Sequence, residues 1–217
     1  MNFIAHYSLD RYAKNDAYIM GALFPDLLRM YHKNLRVKAS SNPQTAFEKG
    51  INRHYKADAV FHNLPLFKKI NHTLIEKLKT LPQSPKYLFF VAHVLSELYL
   101  DFTLIQLEPT IVSDCDKHID KRNIDWESPV LQPILPHKEG LNAFIDSIKA
   151  KRFLHAYASI AGVTQTLANV YTSVIGIAVS PIFKQKIPHF LLAQHTVLQD
   201  QLLRLFKETA QKVNVEQ

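Results

Sequence analysis

Cysteine occurs once in this chain, at Cys115, so an internal disulfide and a zinc site built from several cysteines are both excluded. Glycine is scarce as well, with five in 217 residues against a usual share of ~7%. That leaves little material for turn-dense sheet folds or for the glycine-rich loops that cradle nucleotide phosphates. The opening Met1-Asn2-Phe3-Ile4-Ala5-His6 has no basic region followed by an apolar run, so no secretory signal is expected. The single cysteine fits a reducing compartment, and the expected location is the cytoplasm. No arginine-rich stripe or zinc finger is present, and the basic residues are scattered, so no nucleic-acid partner is expected. Charge is missing from one long stretch: no Asp, Glu, Lys or Arg lies between Phe153 and Phe183. A bilayer could be spanned over that length, but His155, Gln165, Asn169 and Pro181 interrupt it. The stretch reads as the buried central helix of a bundle, and no transmembrane segment is expected.

Apolar residues make up 47% of the chain, enough for a sizeable core. Twenty-six basic against 19 acidic residues leave a net charge of +7, which favours an acidic partner. Apolar residues recur at helical spacing and strand-like alternation is rare. The pattern predicts helices over 15–23, 44–62, 66–81, 86–107, 138–149, 151–158, 160–180 and 188–212, with fraying over 213–217. The first should stop at Phe24-Pro25, because the residue before proline avoids helical geometry. Trp126 to His137, with Pro129, Pro133 and Pro136, reads as an irregular connection. The expected architecture is all-α, a single compact domain over 1–217 with about six to eight helices.

The eleven histidines matter through their arrangement. His54, Asp58 and His62 follow one another in steps of four, and each step turns only about 40° around a helix. His93, Glu97 and Asp101 repeat the spacing on an otherwise apolar helix. Carboxylates on such a face are costly unless paired or bound to a cation, and imidazole with carboxylate suits zinc, iron or manganese. The alternative is that His93 and Glu97 bond to each other or sit at a solvent edge. His6 stands in an apolar opening, and Asp26 follows Pro25. Taken singly, Asp26 reads as a helix N-cap and His6 as a residue bonded to backbone.

Three segments carry a family resemblance. Asn2-Phe3-Ile4-Ala5-His6, then Gly21-Ala22-Leu23-Phe24-Pro25-Asp26-Leu27-Leu28-Arg29, then Gly50-Ile51-Asn52-Arg53-His54-Tyr55-Lys56-Ala57-Asp58 with Pro65 beyond, resemble in order and spacing the bacterial acyl carrier protein phosphodiesterases. The likeness covers about residues 1–105. It implies an HD-like helical hydrolase that uses a divalent metal ion to release 4′-phosphopantetheine from holo-acyl carrier protein, an acidic partner that suits the basic charge. By the same resemblance, Asp26, His54 and His6 are metal ligands, joined by His93 and Glu97 through position. Asp58 and Glu97 are the carboxylates expected to act on water, and Arg53 and Lys56 are expected to contact phosphate. The sequence departs from the family on its third long helix: two aspartates four apart, the second followed by histidine, are here His93, Glu97 and Leu98. A looser likeness to helical zinc-dependent phospholipase C proteins leaves another phosphodiester as an alternative substrate. The altered third helix leaves a non-catalytic helical relative as a further alternative.

Overall fold

Helical spacing of apolar residues, punctuated by proline, gives nine α-helices, two 3₁₀ segments and no strand among residues 1–215, which the computed structural model describes. The expected all-α class is what forms. Packing sorts the elements into two compact units, one of residues 1–59 and 110–154, the other of residues 60–109 and 155 onward.

The first unit holds α1 (Phe3–Asp10), α2 (Asp16–Tyr31), most of α3 (Ala46–Asn63), α6 (Ile111–Lys121), a 3₁₀ segment (Pro129–His137) and α7 (Lys138–Ala150). Helix α2 packs against α1, α6 and α7. Asn15 caps it, accepting from the amides of Ala17 and Tyr18, which satisfies donors a helix start leaves open. The expected stop at Pro25 does not occur, and α2 continues to Tyr31. Proline inside a helix costs about 3 kcal/mol. Leu23, Phe24, Leu27 and Leu28 around it are all buried, and each such side chain contributes about 1.5–3 kcal/mol, so packing outweighs the proline. Asp26 is therefore an interior residue of α2, not an N-cap beyond a stop. Helix α3 begins with a capping box: Glu48 N–H donates to Thr45 Oγ1 at 3.2 Å, and Glu48 Oε2 accepts from Gln44 N–H at 2.7 Å. Ser128 Oγ donates to the other carboxylate oxygen at 2.6 Å.

The second unit is built around α5 (Leu88–Leu107), against which α4 (Pro65–Lys79), α8 (Ile160–Ile175) and α9 (Pro181–Val215) pack. Among the described residues α5 is the one helix long and apolar enough to cross a membrane, and most of it is buried against its neighbours. The uncharged 153–183 stretch, expected to form the buried central helix, does not hold that place. That stretch divides into a 3₁₀ segment (Phe153–Ala158), α8 and the start of α9. Helix α8 buries only Val163, Thr164, Leu167 and Tyr171, while Val174 and Ile177 are exposed. It ends at Gly176, whose φ of 79° closes the last turn in the left-handed region that glycine adopts without strain. Helix α9 begins at Pro181 and runs through Pro188, because Phe183, Ile187 and Leu191 are buried on both sides of that proline. The helix runs through Val215, so the expected fraying is absent there, and 216–217 lie outside the described residues.

Two helices, α1 and α6, were not expected. Their signals are short: α6 buries Ile111, Val112, Cys115 and Ile119, a single stripe three turns long.

Candidate metal centre

The geometry of the first cluster begins with two glycines. A Cβ built on Gly21 would lie 2.1 Å from the Phe47 carbonyl oxygen, and one on Gly50 would lie 2.1 Å from that of Tyr18. Helices α2 and α3 thus touch backbone to backbone at a distance no side chain permits. One turn further along α3, His54 Nδ1 sits 2.9 Å from the Ala22 carbonyl oxygen. A carbonyl accepts only, so Nδ1 carries a proton, and in the neutral ring that leaves Nε2 as the nitrogen able to bind metal. Pro25 lies in this same turn of α2 and lacks the amide that Gly21's carbonyl would otherwise accept.

Three side chains gather at His54 Nε2. Asp58 Oδ2 is 3.6 Å away and Asp26 Oδ1 is 4.0 Å away. From α1, the His6 ring stacks on that of His54, with centroids 4.0 Å apart and planes inclined by 19°. His6 Nε2 lies 3.2 Å from Asp58 Oδ1, yet without the direction of a hydrogen bond. A buried polar atom left so costs about 1–3 kcal/mol. The amino nitrogen of Met1 lies 2.6 Å from the same Asp58 oxygen. Donor atoms of His6, His54 and Asp58 all lie within 4.8 Å of one another. The two imidazoles are buried, whereas Asp58 is 29% exposed.

Electrostatics gives this cluster the protonation state a cation needs. Burial lowers the His6 pKa to about 3, helped by the positive charge His54 would carry, with Asp58 opposing. Burial by itself would raise the pKa of Asp58. The Met1 amino group, His6 and His54 outweigh it and hold the carboxyl well below its usual range. At neutral pH His6 is a neutral imidazole and Asp58 a carboxylate; two imidazoles with carboxylate form a donor set that fits zinc, iron or manganese.

The second cluster belongs to the other unit. His62 Nε2 is 2.8 Å from Glu97 Oε1, and His93 Nε2 is 3.1 Å from the same atom. The two rings stack at 4.8 Å with planes inclined by 27°. Phe67 of α4 meets both edge-on, at 4.9 and 5.3 Å.

The expected site residues therefore fall into two groups. His6, Asp26, His54 and Asp58 come together in the first unit, and His93 and Glu97 in the second. Arg53, expected to contact phosphate, is buried, and its Nε donates to Asp10 Oδ2 at 2.9 Å. Lys56 is half-buried. Sequence reasoning noted His62 on the side of α3 that carries His54 and Asp58 but left it out of the ligand set, although its four-residue step from Asp58 was the signal. The Ala22 carbonyl had no signal, since any residue supplies one.

Two further observations place the chain among known proteins. A family model described as acyl carrier protein phosphodiesterase matches residues 1–209, well beyond the segments that carry the motif likeness. No curated protein and no solved structure matches the chain.

Proposed function

The chain belongs to the acyl carrier protein phosphodiesterase family, and on that premise we propose that it hydrolyses the phosphodiester linking 4′-phosphopantetheine to a carrier protein, in the cytoplasm. The observation that carries this reading is the family match over residues 1–209. The +7 charge supports it, because a basic surface attracts an acidic protein. His6, His54 and Asp58 are the residues that would hold a divalent cation, with Asp26 as a fourth donor. A cation bound there supplies a water of lowered pKa and charge to steady the phosphoryl oxygens.

The chain's own residues do the rest. The Ala22 carbonyl keeps the His54 tautomer that leaves Nε2 free. The water oxygen bonds to phosphorus, the bond from phosphorus to the carrier's oxygen breaks, and that oxygen leaves with a proton. A water held on such a cation would have Asp58 as a hydrogen-bond acceptor. The carboxylate's depressed pKa makes it a weak proton acceptor, so its part is to orient the water. Half-buried Lys56 would be the side chain that contacts a phosphate oxygen, and Arg53 is engaged by Asp10.

The test is release of 4′-phosphopantetheine from holo-acyl carrier protein, with a phospholipid as the competing substrate. Asp26→Ala and His54→Ala should each abolish release and leave the helical circular dichroism unchanged. Turnover of phospholipid alone, or activity retained in both variants, would overturn the reading.

A further inference from the structure

Between Asp26 and Glu48 the chain has no acidic residue, yet Arg29, Lys33, Arg36 and Lys38 all fall in that interval. We propose that these four side chains, on the end of α2 and the strap of residues 32–40 that follows it, form the surface on which an acidic carrier protein docks. The proposal rests on the hydrolysis reading above and names the surface that presents the carrier to the His6 cluster.

Charge is the first argument. All four side chains are exposed, and among the described residues none of them pairs with a carboxylate. Basic residues around α6 and α7 of the same unit behave differently: Lys117, Lys121, Arg122 and Lys149 each sit against an aspartate. Cations without counter-charges attract an acidic partner at long range and fix where it lands.

Order is the second argument. The strap is fastened to α3 at two points. Tyr55 Oη donates to the Val37 carbonyl at 2.5 Å. Nearer the start of α3, Asn52 Oδ1 accepts from Ser40 N–H at 2.8 Å, and Asn52 Nδ2 donates to the Ser40 carbonyl at 2.6 Å. Val37 is buried, and Arg36 Nη1 donates to the carbonyls of Lys33 and Leu35, both at 2.6 Å. A backbone fixed in advance does not have to be ordered on binding.

Place is the third. The bond to be broken joins phosphorus to an oxygen of the carrier itself, so the carrier's own surface must come to the rim of the His6 cluster. Tyr55, which holds the strap, meets the His54 ring edge-on at 5.3 Å, and Arg29 follows Asp26 by one turn of α2. Among these cations Met30 is 42% exposed, while the Tyr31 ring packs on Phe144 at 5.7 Å. An apolar side chain set among arginine and lysine suits a protein face, whereas a nucleic-acid strand is held by aromatic rings free to stack.

The experiment compares full-length wild type with Lys33→Glu/Arg36→Glu/Lys38→Glu. A second variant, Lys186→Glu/Lys207→Glu/Lys212→Glu, makes the same change of charge at exposed positions of α9. Fluorescence anisotropy reads binding of apo-acyl carrier protein, and kinetics are measured on holo-acyl carrier protein and on bis(p-nitrophenyl) phosphate, which has no protein part. The strap variant should lose at least about tenfold in carrier affinity, with a matching rise in KM. Its kcat and its turnover of the small diester should stay at the wild-type level, and its remaining binding should respond less to added salt. The α9 variant should behave as wild type. Should circular dichroism show the strap variant unfolded, Lys33→Ala/Lys38→Ala, which keeps Arg36, must lose carrier affinity in the same direction. Equal losses in the strap and α9 variants would overturn the proposal, as would unchanged carrier binding in the strap variant. Tighter binding of a DNA or RNA oligonucleotide than of the carrier, lost in the strap variant, would overturn it too. Carrier binding at the strap without cleavage would uphold this surface and overturn the hydrolysis reading; cleavage with an unaltered strap variant would do the reverse.

Discussion

His6 shows how one buried residue sets a condition for the whole chain. Its pKa is lowered from 6.5 to about 3, chiefly by burial and next by His54, so the folded chain keeps it neutral where the unfolded chain protonates it. Between those values the unfolded state holds more protons, and stability is lost as pH falls. A single group contributes a slope of at most about 1.4 kcal/mol per pH unit. Metal-free protein should therefore melt at progressively lower temperature from pH 6.5 down toward pH 3. A His6→Asn variant should show a flatter profile over the same window, as differential scanning calorimetry across a pH series will reveal. A profile equally steep in the variant would assign the loss to other groups. Glu48 adds a separate descent at lower pH. Ser128's hydrogen bond, with help from the Gln44 and Thr45 amides and against burial, holds its carboxyl below 4.5. Its contribution is present above that value and is lost as pH falls further.

At the scale of elements, the contact between α2 and α3 decides whether the His6 cluster exists. Gly50→Ala places a methyl group 2.1 Å from the Tyr18 carbonyl oxygen and 2.9 Å from the Gly21 Cα. Both partners are backbone, so the helices must part. Overpacking of this kind costs about 3 kcal/mol or more, which in a chain of this length lowers Tm by about 6–12 °C. The same separation stretches the bond from His54 Nδ1 to Ala22, so the variant should lose metal affinity even at temperatures where it stays folded. Thermal melts paired with metal titration test both effects. The start of α3 offers a milder case. Glu48→Ala removes the acceptor for Gln44 and Ser128, and loss of a cap with a buried hydroxyl left unmet costs about 2 kcal/mol. Urea denaturation should show that loss as a lower midpoint with the slope unchanged.

For the molecule as a whole, a bound cation and folding are linked. An ion that binds only the folded chain stabilises it by about 2.7 kcal/mol at a hundredfold excess over its Kd. For a chain of this size that is about 5–10 °C in Tm. Zinc or manganese added to metal-free protein should give a rise of that order, reversed by chelator and diminished in the His54→Ala variant. A flat response in differential scanning fluorimetry would speak against metal at the His6 cluster.

What the sequence determined by itself was the helical class, the family and the one side of α3 that carries His54, Asp58 and His62. Each rests on local or linear information: a 3.6-residue period, prolines between helices, and steps of four that align His54, Asp58 and His62 on any helix they occupy. What only the tertiary structure decided were matters of competition between distant parts. Whether Pro25 and Pro188 stop a helix depends on how much apolar surface is buried on either side of them. Which long apolar helix is central depends on what packs around it, and α5 rather than the uncharged stretch holds that place. Arg53 looked available for phosphate until Asp10, forty-three positions away, arrived beside it. His54's tautomer is set by a backbone carbonyl on another helix, and a carbonyl has no signature in sequence. Linear spacing places side chains on one element; only packing brings a donor from a second element within 3 Å, and the charges met there then set protonation.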